Sequence, residues 1–146
     1  MTPEEAAAFL AEQRTVTCAT LGRDGWPHLM PLWYVVRDGE CWSWTYAKSQ
    51  KVRNLERDPR CTIQVEAGTE YGELRGMMAK AECELVRDLD DIAAVGVALA
   101  RRYGGGGALT PEQEAGMRGQ AAKRVGLRFH LREVVTWDHR KLGGTY

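Results

Sequence analysis

The chain has 146 residues, and its 20 basic and 20 acidic side chains balance to a formal net charge of zero. This length fits one domain, so we expect a single domain over residues 1–146. The balanced charge argues against non-specific attraction to nucleic acids or membranes, and neither is an expected partner. No apolar run approaches the roughly 20 residues that span a bilayer. Because no signal-peptide pattern opens the chain, a cytoplasmic location is expected.

The cysteines give no sign of metal or redox chemistry. Cys18, Cys41, Cys61 and Cys83 are widely spaced and form no CxxC pair, which argues against zinc or thioredoxin-type sites. We interpret them as small buried hydrophobic residues in a reducing compartment. Neither a metal site nor a hydrolase is predicted, because no HExxH, Ser/His/Asp or paired-carboxylate pattern is present.

Helix starts are marked by two capping boxes. Thr2-Pro3-Glu4-Glu5 and Thr110-Pro111-Glu112-Gln113 each combine a hydroxyl, a proline at the first helical position and a Glu or Gln at the third. The predicted helices run from Pro3 to about Gln13, from Gln50 towards Asp58, from Asp88 to Tyr103 and from Thr110 to about Lys123.

Strands are indicated by apolar alternation and by β-branched residues. The six predicted strands are Thr15 to Leu21, Trp26 to Val36, Glu40 to Tyr46, Arg60 to Glu66, Glu73 to Val86 and Gly126 to Trp137. Asp38-Gly39 is a hairpin signal, so we expect the first three strands to form a meander. Without β-α-β alternation, the pattern favours a mainly β protein: a closed or nearly closed antiparallel barrel with peripheral helices.

The second predicted strand is unusual because Pro27 and Pro31 lie within it. A proline cannot donate to a ladder, so pairing is interrupted there or the strand lies on an edge. We expect the peptide groups of Met30 and Leu32 to be free for a planar heterocycle, and a plain edge strand is an equal alternative. The candidate substrate-pocket residues on this strand are His28 and Trp33.

The stretch Trp44-Thr45-Tyr46-Ala47-Lys48-Ser49-Gln50-Lys51 ends an aromatic strand and opens a short helix. N–H groups at a helix start are unpaired and carry partial positive charge. The Ser49 hydroxyl and the ammonium groups of Lys48 and Lys51 add donors that suit a phosphate. A solvated lysine face and a simple helix cap at Ser49 are the alternatives. The coincidence of cap, lysines and aromatic strand favours the phosphate.

Several motifs share their order and spacing with one known family. They are Thr15 to Leu21, Pro31-Leu32-Trp33, Ser49-x-Lys51-x-x-Asn54-Leu55, Asp58-Pro59-Arg60, Arg75-Gly76, Ala81 to Leu85 and Trp137 to Leu142. Together they resemble the pyridoxamine 5'-phosphate oxidase-like FMN-binding split barrels. Within that family they are similar to the small actinobacterial branch that uses the deazaflavin coenzyme F-420. The resemblance implies a six-stranded antiparallel split barrel and a homodimer with cofactor sites at the subunit interface.

The same resemblance implies roles for individual residues. It assigns Ser49, Lys51 and Asn54 to a phosphate-binding segment, and the backbone from Met30 to Leu32 to the edge of the cofactor ring. The candidate cofactor-binding residues are Met30, Pro31, Leu32, Thr45, Lys48, Ser49, Lys51 and Asn54. Flavin-using oxidases show Ser-Arg-Lys where this chain has Ser-Gln-Lys, which removes one charge-assisted phosphate contact. That loss weakens the case for FMN and leaves room for F-420.

The expected function is an oxidoreductase in which reduced F-420 transfers hydride to an unsaturated, conjugated small molecule. One alternative is an FMN-binding oxidase or oxidoreductase on the same barrel. Another is a non-catalytic cofactor- or haem-binding split-barrel protein. Catalytic residues stay unassigned: solvent, His28 and Arg53 are all open as the source of the substrate proton.

Overall fold

The computed structural model describes residues 1–143. The sequence also predicts a glycine-containing tail from Asp138 to Tyr146, and the end of that tail lies outside the described residues. The strands are β1 (Thr15–Leu21), β2 (Pro27–Trp33), β3 (Val35–Arg37), β4 (Glu40–Tyr46), β5 (Arg60–Ala67), β6 (Arg75–Val86) and β7 (Arg124–Asp138). The helices are α1 (Pro3–Glu12), α2 (Gln50–Arg57), α3 (Leu89–Tyr103) and α4 (Pro111–Ala121). All strands join one antiparallel sheet in the order β2-β1-β5-β6-β7-β4-β3. The predicted mainly β architecture with peripheral helices is confirmed.

The second predicted strand is in fact two strands, so residues 1–143 form seven strands rather than the predicted six. Tyr34 separates them: its N–H donates to the Tyr103 hydroxyl at 3.1 Å, and that hydroxyl lies 2.9 Å from the Tyr34 carbonyl. The Tyr34 N–H is therefore satisfied by a side chain instead of a ladder, and the Tyr34 carbonyl shares the single Tyr103 hydroxyl proton with the Arg14 carbonyl. The predicted three-strand meander is wrong, since β2 and β3 lie at opposite edges of the sheet. Because these strands are consecutive in the chain, the sheet curls until its edges approach.

The barrel interior is filled by the alternating apolar face of the central strands. Ile63, Leu127 and Phe129 are fully buried there. The four cysteines carry free thiols and are buried, as expected of small hydrophobic residues. Helix α2 adds Val52 and Leu55 to the same core, which anchors one face of this short helix against the barrel.

Local signals in the sequence are formed as predicted. Both capping boxes are present, at the starts of α1 and α4. The hairpin turn has positive φ at Asp38 (51°) and Gly39 (77°), which matches the right-handed twist of its strands. Gly76 marks a close approach: a Cβ there would lie 2.2 Å from the Trp137 ring. Among residues 1–143, no helix is both long enough and apolar enough to cross a bilayer.

Candidate functional site

Ser49 occupies the N-cap position of α2 but does not cap the helix with its side chain. Its backbone is extended, and its carbonyl accepts the Val52 N–H at 3.1 Å. The Oγ atom is buried and has no hydrogen-bond partner in the described part of the chain. An unsatisfied buried hydroxyl costs about 1–3 kcal/mol. The interpretation of Ser49 as a simple cap is therefore wrong. Its hydroxyl can still form hydrogen bonds at the start of α2.

Lys51 is a buried cation with a single neutral partner. The residue is 7% exposed, and Nζ donates to Thr45 Oγ1 at 3.1 Å. Burial lowers the pKa of Lys51, and the nearby Cys18 thiol acts in the opposite direction. Within residues 1–143, no carboxylate lies at ion-pair distance from it. The solvated-face alternative is thus wrong for Lys51, whereas Lys48 is exposed.

Asn54 ties α2 to the first strand through a buried polar chain. Its side chain is fully buried, and Nδ2 donates to Thr20 Oγ1 at 3.0 Å. Gln50 Nε2 in turn donates to Asn54 Oδ1 at 2.9 Å. These hydrogen bonds fix the start of α2 against β1 and hold the Gln50 carboxamide in place. Gln50 occupies the position where the resemblance to the flavin-using oxidases leads us to expect an arginine.

A cleft of about 570 Å³ lies between the β1–β2 turn and the start of α2. It brings together two segments that the sequence analysis selected separately, because His28 comes from β2 and Asn54 from α2. The lining residues are Gly22, Arg23, Asp24, Trp26, Pro27, His28, Gln50 and Asn54. Sequence reasoning assigned no role to Arg23 or Asp24, and it placed Trp26 at the start of the second predicted strand. Sequence reasoning mentioned Gln50 only because it stands in place of the arginine found in flavin-using oxidases.

The edge-strand alternative for β2 is confirmed, with a change in which peptide groups are free. The Gly22 N–H donates to the Trp26 carbonyl at 2.9 Å, so these two residues form a hydrogen-bonded pair. Such pairs alternate along an antiparallel ladder, and the register makes Met30 and Leu32 hydrogen-bonded positions too. Their peptide groups therefore face β1, which corrects the expectation that they are free. Pro31, which has no N–H, falls on the opposite phase. The outward-facing groups belong to Leu29 and Pro31.

Trp33 and Thr45 lie away from the cleft. The Trp33 ring stacks on Tyr103 at a centroid distance of 4.3 Å and an interplanar angle of 6°. This stack holds the end of β2 next to the hydroxyl that breaks the strand. Thr45 is buried beneath α2, where it binds Lys51. The binding roles predicted for these residues stay predictions.

The three histidines have different surroundings. His130 lies between Glu40 and Glu84, 2.8 Å from one carboxylate and 2.9 Å from the other, and both hydrogen bonds raise the pKa of His130. His139 lies 2.9 Å from the Tyr71 carbonyl. His28 is half-buried, and its Nδ1 is buried without a partner in the described part of the chain.

Comparison with known proteins identifies the family. The pyridoxamine 5'-phosphate oxidase family model matches residues 2–138. A conserved hypothetical protein from Mycobacterium tuberculosis is 43% identical with a TM-score of 0.92, and the match covers 100% of this chain and 90% of that chain. A comparison with functionally curated proteins gave no match.

Two more distant structures show the fold alone. An F-420 reductase is 21% identical with a TM-score of 0.70, over 92% of this chain and 98% of that one. A heme storage protein from Vibrio cholerae is 19% identical with a TM-score of 0.70, over 91% of this chain and 92% of that one. Since the family model spans nearly the whole sequence, the chain belongs to the pyridoxamine 5'-phosphate oxidase family.

Proposed function

We propose that the protein is an oxidoreductase that uses reduced F-420 to transfer hydride to an unsaturated, conjugated small molecule. The observation that carries the proposal is a pair of buried donors at the start of α2: Ser49 Oγ, which has no hydrogen-bond partner within residues 1–143, and the Lys51 ammonium, whose hydrogen-bond partner there is the neutral Thr45 hydroxyl. A phosphate offers acceptor oxygens to both, and to the free N–H groups of the helix start. When bound, the reduced deazaflavin supplies the hydride.

The surrounding residues position this anion site. Thr45 fixes the Lys51 side chain, and the low dielectric around a buried ammonium strengthens its attraction for a phosphate. Asn54 holds the helix start against β1 through Thr20. The outward peptide groups of Leu29 and Pro31 on the β2 edge can meet the edge of a planar ring, one residue out of phase with the sequence prediction.

The choice of F-420 over FMN rests on Gln50. Its carboxamide carries no charge and already donates to Asn54, so it does not replace an arginine contact to phosphate. FMN is the competing cofactor in the experiment below.

A cytoplasmic homodimer completes the proposal. Trp26, Leu29 and Met30 are 76%, 56% and 40% exposed along the β2 edge. Large apolar side chains grouped on one edge are typical of a protein interface, and a second copy of the chain would supply a further wall to the site. Analytical ultracentrifugation should show a dimer, and a monomer at micromolar concentration would contradict this part.

The test is a side-by-side titration of the protein with F-420 and FMN, followed by hydride transfer. We expect F-420 to bind more tightly than FMN, and label from stereospecifically deuterated, reduced F-420 to appear in the product of an enone acceptor. FMN binding alone would favour a flavin enzyme. F-420 binding without transfer to a broad panel of enones and tetrapyrroles would indicate a carrier.

A further inference from the structure

Arg124, at the start of β7, lies between two aromatic side chains. Its guanidinium carbon is 4.3 Å from the centroid of the Trp44 ring and 4.5 Å from the centroid of the Tyr46 ring. Aromatic faces attract a cation and favour a planar guanidinium. Trp44 is itself held against α3, because a Cβ at Gly96 would lie 2.4 Å from its ring. The protein therefore fixes the position of the Arg124 side chain without a ligand.

The positive charge of Arg124 is not paired by the described part of the chain. No carboxylate among residues 1–143 lies at ion-pair distance from it. Its Nε atom is buried and has no hydrogen-bond partner there, and Nη2 donates to Gln120 Oε1 at the long distance of 3.4 Å. Buried polar groups normally have partners, so this guanidinium retains donors for an anion.

Arg124 lines a cavity of about 290 Å³ between α4 and the paired ends of β4 and β7. The guanidinium contacts the Tyr46 ring and the Gln120 carboxamide, which line the same cavity, so it lies at the cavity wall. The volume is at the lower end of the range for small-molecule sites and therefore suits a small ligand. The lining residues are Tyr46, Gly116, Gly119, Gln120, Lys123 and Arg124.

Two glycines of α4 leave open space on the cavity side of this helix. Gly116 and Gly119 line the cavity, and a Cβ built on either residue would meet no atom within 4 Å. Glycine destabilises a helix relative to alanine, and packing within residues 1–143 does not explain its presence here. Tyr46 is 59% exposed, and its ring offers a flat apolar surface to the same cavity. The space therefore has room for a flat apolar group.

The charge around the cavity favours a monoanion. Lys123, like Arg124, forms no ion pair with any residue between 1 and 143. Gly119 and Gln120 lie in the last turn of α4, where carbonyl groups carry partial negative charge. That charge opposes a phosphate dianion more than a carboxylate. The two oxygens of a carboxylate also match the donors of a guanidinium.

We infer that this cavity binds a small aromatic carboxylate, with the carboxylate on Arg124 and Lys123 and the ring between Tyr46 and the glycine side of α4. The cavity shares no lining residue with the cleft between the β1–β2 turn and α2, so it is a separate site. The inference goes beyond the proposed function and does not require F-420 to bind.

The charge requirement is tested with sodium benzoate and its neutral isostere benzamide, each titrated into the protein without F-420. The amide resonances of Gly116 and Gly119 are followed by ¹H–¹⁵N NMR. Benzoate should shift both resonances with a Kd of about 1 mM or lower, as expected for a ligand of so few atoms. Benzamide should produce no saturable shift. Equal binding of the two probes would overturn the inference.

The role of Arg124 is tested by removing its charge. Arg124→Gln should raise the Kd for benzoate at least about 10-fold, as expected for the loss of a charge-assisted hydrogen bond. Arg132→Gln is the matched control on β7, because Arg132 is exposed, pairs with Glu82 and does not line the cavity. The control should bind benzoate like the wild type.

A second variant fills the cavity and leaves the Arg124 side chain in place. Gly119→Leu should abolish the benzoate shift at Gly116, because the new side chain occupies the open space beside α4. It should also raise the melting temperature, since leucine favours a helix more than glycine does. Ala115→Leu is the matched control, because Ala115 is exposed on α4 and does not line the cavity.

The outcomes separate this inference from the proposed function. Benzoate binding that is absent in the wild type, or unchanged in Arg124→Gln or Gly119→Leu, would overturn the inference. Tighter binding of inorganic phosphate than of benzoate would overturn the assignment of a carboxylate. Displacement of benzoate by F-420 would place Arg124 in the cofactor site and overturn a separate site. Failure of F-420 to bind would contradict the proposed function alone, since the benzoate titration contains no cofactor.

Discussion

Charged side chains have different surroundings in two regions of the protein, the outer face of β6 and β7 and the start of α2. On the outer face, Arg132 pairs with Glu82 and Lys80 with Glu133, both at 2.8 Å and all four side chains exposed. At the start of α2, Ser49 Oγ and Lys51 are buried, and no carboxylate within residues 1–143 pairs with Lys51. Exposed charges gain little from pairing, whereas buried polar groups are nearly always satisfied. The start of α2 is therefore the region where we propose that a ligand binds.

The largest expected effect is on cofactor binding. Combining Ser49→Ala with Lys51→Met removes both donors and should weaken F-420 binding at least about 100-fold, as two hydrogen bonds to a charged group imply. Lys80→Met is the matched control on the outer face and should leave affinity unchanged. Titration by deazaflavin fluorescence measures both. Equal affinity in the folded double variant would remove the basis of the comparison.

Asn54→Ala should cost about 2 kcal/mol in the free energy of unfolding, because it leaves the Thr20 hydroxyl unpaired and opens a cavity at a fully buried position. Urea denaturation measures the change. Gln64→Ala, which removes an exposed hydrogen bond to Glu66, is the control and should stay within about 0.5 kcal/mol. A cost below that of the control would show that the buried chain does not anchor α2.

Lys51→Met alone should stabilise the ligand-free protein by about 1 kcal/mol, because it replaces a desolvated ammonium with an apolar side chain. Burial lowers the pKa of Lys51. The ammonium therefore destabilises the fold at neutral pH, and this penalty is relieved as pH rises through the lowered pKa. In urea denaturation, the advantage of the variant should narrow as pH rises towards the ordinary lysine pKa of about 10.4. A less stable variant at neutral pH would contradict this account.

The smallest expected effect concerns His130, whose pKa is raised by Glu84 and Glu40. A raised pKa gives stability that is fully present below the ordinary histidine value of about 6.5 and is lost as pH rises through the folded value. His130→Gln should cost about 0.5 kcal/mol near pH 6, since the pair is partly exposed, and nothing near pH 9. Thermal unfolding across this range measures it. A cost that does not change with pH would exclude the ion pairs as its source.

Local patterns predicted much of the fold because their signals act over a few residues. The capping hydroxyl at Thr2 and the Asp38-Gly39 hairpin each carry a short-range cause. The break at Tyr34 could not be predicted in this way. It depends on the hydroxyl of Tyr103, which lies far along the chain and reaches Tyr34 only after α3 has packed.

Part of the candidate site could be predicted from the sequence and part could not. The α2 segment was selected from sequence because hydroxyl, lysines and helix start are adjacent there. The cleft was not, because nothing near Arg23 and Trp26 in the sequence indicates that folding sets them against Gln50. The prediction of free peptide groups was one residue out of phase. The residues at the outward-facing positions of β2 include Pro27 and Pro31, which have no N–H to donate to β1.

By itself, the sequence determined the strands and helices, their caps, the family resemblance and the segment that offers donors to an anion. Only the tertiary structure decided that Ser49 Oγ is buried without a hydrogen-bond partner and Lys51 without a counter-charge among the described residues, that β2 is an edge, and that His28 faces α2 across a cleft. The reason is physical: propensity and periodicity act between neighbours in the chain, whereas desolvation and the absence of a partner depend on every group that packs around an atom.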